Sequence, residues 1–169
     1  MRLLDDASAA IQYNRDVLQS AIDNVGHGIA VFDRNMALIC WNEQFQRYLG
    51  LSAELSRVGA PMTEIVAAFL AKTESGATRA DDRIRLLAGT HEAFTERMPE
   101  TERVLEVRSS AMPDGGVVAT FIDITESVIA AEALQRANES LERRVAERTR
   151  ELTRLNEALA TAKSQADDA

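Results

Sequence analysis

The sequence predicts an α+β domain, an antiparallel sheet with helices on one face, followed by a long helix. Two observations carry this. Strand-like runs come as a pair and then as three, with short helical stretches between the groups, which is segregation and not βαβ alternation. At residues 121–126, Phe-Ile-Asp-Ile-Thr-Glu, a run of apolar and β-branched residues turns within two positions into a helical pattern whose apolar positions recur at heptad spacing. The expected parts are an amphipathic helix at residues 1–24, a globular domain at 25–126 and a linker helix at 127–169.

Leu4, Ile11, Leu18 and Val25 recur every seven residues, which predicts an amphipathic helix to about residue 24 that packs on its own domain or also pairs with a second subunit. Gly26 and Gly28 are expected to end it in a left-handed turn. Residues 29–32 and 36–41 are apolar segments around Asp33-Arg34-Asn35, a β-hairpin. Asn42 stands where it caps a helix at 43–49, whose Phe45, Tyr48 and Leu49 share a face and which Gly50 ends. Helical spacing returns at 61–72 and 79–88, with a loop at 74–78 between them. Strands are expected at 93–98, 103–112 and 117–124, the last two joined by the turn Pro113-Asp114-Gly115-Gly116.

Composition narrows the function. A chain of 169 residues, 46% hydrophobic, holds one domain of about 100 residues plus helical extensions. The charge of -8, with Lys and Arg nowhere gathered into a patch, argues against nucleic acid. Cys40 is alone, so no internal disulfide forms and a reducing compartment is inferred. No apolar run approaches the roughly 20 residues that span a bilayer. The first residues carry Asp5 and Asp6 where a leader would be basic. The segment is therefore expected to be cytoplasmic with no direct membrane contact, although its parent protein could be anchored elsewhere.

The Gly-Ile-Ala-Val-Phe-Asp run at 28–33, Ile-Cys-Trp-Asn-Glu-Gln-Phe at 39–45, Gly-Gly-Val-Val at 115–118 and Asp-Ile-Thr-Glu at 123–126 resemble a PAS domain, in particular the input module of bacterial sensor and hybrid histidine kinases. The resemblance runs from about residue 18 to 126 and implies a five-stranded antiparallel sheet. Residues 141–152, Leu-Glu-Arg-Arg-Val-Ala-Glu-Arg-Thr-Arg-Glu-Leu, resemble the helical linker that precedes the phosphoacceptor domain of such kinases. The resemblance further implies that Ala30, Phe32, Ala119 and Phe121 face the helices, lining a ligand pocket or filling a core. It also makes Asp123 and Thr125 a tie between the last strand and the emerging helix, where a signal is transmitted.

The linker has its own physical reading. With Leu141 at heptad position d, Leu134 and Leu155 are also d, while Val145, Leu152 and Leu159 fall at a. Such a seam, on a helix reaching roughly 60 Å, calls for a second chain, and Asn138 at a specifies a parallel homodimer. Arg148, at d, is a polar break that allows two arrangements of similar energy. At the junction, Asp123 and Glu126 have the spacing of a capping box, the alternative being that Thr125 caps the helix.

Enzymatic chemistry finds no support. His27 and His91 stand in no metal-type spacing and beside no nucleophile, so no metal site is expected. The resemblance speaks against flavin, because the Asn-Cys-Arg-Phe run of flavin-binding members is missing, and against haem, because residues 61–72 hold no histidine; whether another cofactor binds stays open. The expected function is a non-catalytic sensory and dimerisation module relaying a signal to kinase domains in cis, the alternatives being a passive dimerising scaffold or the input module of a diguanylate cyclase.

Overall fold

The structure, a computed structural model, describes residues 2–75, 80–89 and 93–168. His91 and most of the loop expected at 74–78 lie outside them. The elements are α1 (Arg2–Asn24), β1 (Gly28–Phe32), β2 (Leu38–Trp41), α2 (Glu43–Leu49), α3 (Met62–Leu70), α4 (Ala80–Gly89), β3 (Phe94–Met98), β4 (Arg103–Ala111), β5 (Val117–Asp123) and α5 (Thr125–Asp167). They form two units, one through Thr125 and one from Glu126.

In the first unit five strands make one antiparallel sheet in the order β2-β1-β5-β4-β3. The first and last strands are neighbours, with Ala30 opposite Ala119 and Gly28 opposite Phe121. Side chains alternate between faces along a strand, so Ala30, Phe32, Ala119 and Phe121 share one face. All four are buried with Phe45, Leu49, Ile65 and Phe69 from the helices. The Phe121 ring centre lies 5.3 Å from Phe45 and 5.9 Å from Phe69, tilted and edge-on respectively, arrangements that suit aromatic quadrupoles.

Three local expectations need correction. The second hairpin strand starts at Leu38 and not at residue 36, because the turn is wider: the Asp33 carboxylate accepts the Asn35 and Ala37 amides at 2.8 and 3.0 Å, and Met36 sits at φ 59°. Gly28 makes no left-handed turn but opens β1, where an added Cβ would stand 2.9 Å from the Phe45 Cα. Its need for glycine is close approach of two backbones. The helix expected over 61–72 runs only from Met62 to Leu70, and Lys72 beyond it reaches across to donate to the Leu49 and Gly50 carbonyls at 3.1 and 2.6 Å. That satisfies carbonyls at the end of α2, where Gly50 itself turns left-handed at φ 57°.

Asn42 holds the corner. Its Oδ1 accepts the Phe45 amide at 3.0 Å, capping α2 as the sequence predicts, and also the Ile29 amide at 2.9 Å. Its Nδ2 donates to the carbonyls of Ile22 and His27 at 3.0 and 2.8 Å. The side chain is 1% exposed and its amide hydrogen-bonding capacity is used in full. Asn42→Ala removes the cap and leaves buried groups unpaired, so a loss of roughly 2–4 kcal/mol is expected in urea denaturation. Asn42→Asp keeps the cap but sets a carboxylate against two carbonyls, and should recover little of that loss.

Candidate functional site

The junction between sheet and linker is built by β4 and β5. Pairing ends at Asp123, after which the Ile124 amide still donates to the Val104 carbonyl at 2.9 Å. The Thr125 hydroxyl accepts the Val104 amide at 2.9 Å, so Val104 is held through both its backbone groups. The Asp123 carboxylate accepts the Thr125 amide at 3.0 Å and the Thr125 hydroxyl at 2.5 Å. Helix α5 therefore begins with its first N–H satisfied and its first residue tied to the neighbouring strand.

This is not the capping box expected from Asp123 and Glu126. The bond spans two residues and not three, because α5 starts at Thr125, and Glu126 is exposed with no side-chain hydrogen bond among the described residues. Two participants went unread in the sequence. Arg103 places Nε 3.7 Å from the Asp123 carboxylate and its guanidinium carbon 5.5 Å from the Tyr48 ring centre, while the Tyr48 hydroxyl donates to the Gly26 carbonyl at 2.7 Å. A cation shared between a carboxylate and an aromatic face needs partners from three elements, and separations of 20 residues or more leave no local pattern to find.

Between sheet and helices the aromatic rings fill the core down to a cavity of about 20 Å³, room for about one water. Phe32, Ala119 and Phe121 line it; Ala30 is buried nearby. Among the described residues the one polar side chain in its wall is Arg83 of α4. Arg83 forms an ion pair with Glu96 of β3, and its guanidinium carbon lies 4.4 Å from the Phe94 ring centre. The Glu96 side chain is 0% exposed and that of Arg83 15%. One atom of each, Arg83 Nε and Glu96 Oε2, has no partner among the described residues.

Elsewhere, His27 is exposed and Cys40 half-buried in an open groove between α1 and β2 that Ile11, Leu18 and Ile39 also line. Among the described residues no group of His, Cys, Asp and Glu suits a metal ion, and no helix is long and apolar enough to cross a membrane.

Helix α5 is one uninterrupted run of 43 residues with none buried. Its apolar side chains Leu134, Leu141, Val145, Leu152, Leu155 and Leu159 are 54–72% exposed, and Asn138 is exposed among them.

A sheet of this order, with its helices on one face and an asparagine pin at its corner, defines the class of the module. The PAS fold family model matches residues 22–132, and the chain belongs to the PAS family, whose members are regulatory modules. It is similar to the PAS domain of an HTR-like protein from Haloarcula marismortui, at 16% identity over 71% of this chain and 99% of that one, with a TM-score of 0.48. It is also similar to the PAS domain of BvgS from Bordetella pertussis, at 17% identity over 75% and 98%, with a TM-score of 0.43. A domain of a sensory box sensor histidine kinase/response regulator from Geobacter sulfurreducens matches at 14% identity over 67% and 96%, with a TM-score of 0.44. No curated protein matches the chain.

The buried pair yields a stability prediction. Arg83→Met leaves Glu96 buried without its counter-ion and should cost about 3–5 kcal/mol in chemical denaturation. Arg83→Met with Glu96→Leu removes both charges and should return stability to within about 1 kcal/mol of the parent, or above it.

Proposed function

We propose that the chain is a cytosolic PAS sensory and dimerisation module that passes a signal through α5 to a histidine kinase output domain in cis. The observation that carries this reading is the exposed heptad seam on a helix whose first residue is pinned to the sheet. A 43-residue helix that buries none of its leucines is incomplete as a single chain, and a second copy supplies the identical apolar stripe in register. Asn138 at an a position favours a parallel pair, which sets two PAS domains at one end and two outputs at the other.

In this reading Asp123 and Thr125 convert a shift in β4 or β5 into a shift at the start of α5. Helix movements of an ångström or two are a common form of such switching. The exposed Ile11 and Leu18 of α1, seven residues apart, offer a second apolar stripe for the dimer contact. The closely filled core gives the passive scaffold reading its one specific support: a cavity of about 20 Å³ leaves no space for a ligand unless a helix moves.

Two measurements separate these readings. Asp123→Ala, in the chain fused to its kinase, removes a helix start worth about 1 kcal/mol, enough to shift a balanced equilibrium about fivefold. The signal response should fall by that order while the dimer mass is kept, and a wild-type response would remove the junction from the mechanism. Leu152→Glu sets a charge at an a position and should move the chain to monomer in sedimentation equilibrium; an unchanged dimer would put the contact in α1 and not in α5.

A further inference from the structure

We infer that the Arg83–Glu96 pair is a recognition point for a small uncharged molecule carrying a hydrogen-bond donor beside an acceptor on an apolar body, a primary amide being the simplest such group. The inference rests on the sensory reading and names the chemistry of what is sensed.

The argument starts from the partners the pair lacks. Glu96 is wholly buried at the centre of β3, and Arg83 approaches it from α4 with its guanidinium carbon 4.4 Å from the Phe94 ring centre. One ion-pair contact joins them, and Arg83 Nε and Glu96 Oε2 remain buried without partners among the described residues. Unpaired buried polar atoms are unfavourable, and one of each sign on two side chains already in contact asks for a single group that accepts from an N–H and donates to a carboxylate oxygen.

Charge decides the class. Arg83 and Glu96 already neutralise each other, so a carboxylate or an ammonium ion would add an uncompensated charge to an apolar interior. A neutral amide adds none. Its carbonyl accepts from Nε–H and its NH2 donates to Oε2. The rest of the wall, including Phe45, Phe69, Leu87 and Phe121, is apolar and suits a hydrocarbon body.

Size supplies the switch. The cavity of about 20 Å³ cannot hold such a body as it stands. Leu87 and Arg83 both belong to α4 and both line the cavity, so a ligand at the pair enters only as α4 moves away from the sheet. Recognition and displacement then occur together, and β3, which carries Glu96, pairs along its whole length with β4, the strand that holds Thr125 through Val104.

Nuclear magnetic resonance on the whole isotope-labelled chain tests this with four probes sharing one ring: benzamide, benzoate, benzylamine and toluene. Benzamide should produce saturable shifts in the amides of α4 and β3 and bind at least tenfold tighter than each of the other three. The charge-free Arg83→Met/Glu96→Leu variant, its fold checked by circular dichroism, should lose that tenfold preference. The inference is overturned if benzamide gives no saturable shift, if it binds no tighter than toluene, or if the double variant keeps the preference. None of these outcomes touches the dimer or the junction, which are read by mass and by kinase response.

Discussion

The side chain of Asn42 is the constraint on which the arrangement of the first unit depends. Four backbone groups from α1, from the segment leading into β1, from β1 itself and from α2 converge on one amide that is 1% exposed. A buried amide with four good partners costs little and tolerates few other positions of those partners. It sets α2 so close to the start of β1 that residue 28 must be glycine. Phe45, three residues into the same turn, is thereby directed at Phe121 on the last strand. The sheet therefore closes with its first and last strands adjacent, and the chain leaves it beside the place where it entered.

That closure gives the junction its meaning. Asp123 and Thr125 stand where β5 has run out of partner and α5 has yet to complete a turn, so their hydrogen bonds are what join the two regular patterns. Val104 couples this point to the interior of the sheet, and Arg103 and Tyr48 couple it to Gly26 at the end of α1. Most of these groups are partly exposed, and solvent screens the charged contact between Arg103 and Asp123. The links are modest in energy.

Legibility in the sequence followed the range of the interactions. Helix α2 could be read to the residue, because Asn42, the apolar face at Phe45 and Leu49 and the stop at Gly50 are local signals. The start of α5 was read within two residues, with Asp123 taken as the first half of a capping box that the structure does not form, and its seam repeats too regularly to miss. Strand ends slipped by a residue or two where a side chain substituted for the ladder, as Asp33 does before β2. What stayed hidden was long-range polar pairing. Arg83 sits among Asp81, Asp82 and Arg85 on a helix that reads as a solvated charged surface, and Glu96 stands in a strand between Thr95 and Arg97. Only the sheet register, which brings Glu96 opposite the fully buried Leu105, reveals that this carboxylate points inward.

The central claim is that two copies of α5 meet along one stripe, and disulfide scanning reads it most directly. With Cys40 replaced by serine, single cysteines would be placed along residues 138–159 and oxidised briefly. The account predicts fast cross-linking at positions 138, 141, 145, 152, 155 and 159, and slow cross-linking at positions such as 143, 147 and 150 on the outer face of the same heptads. Uniform rates around the helix, or no cross-linking at any position, would contradict it.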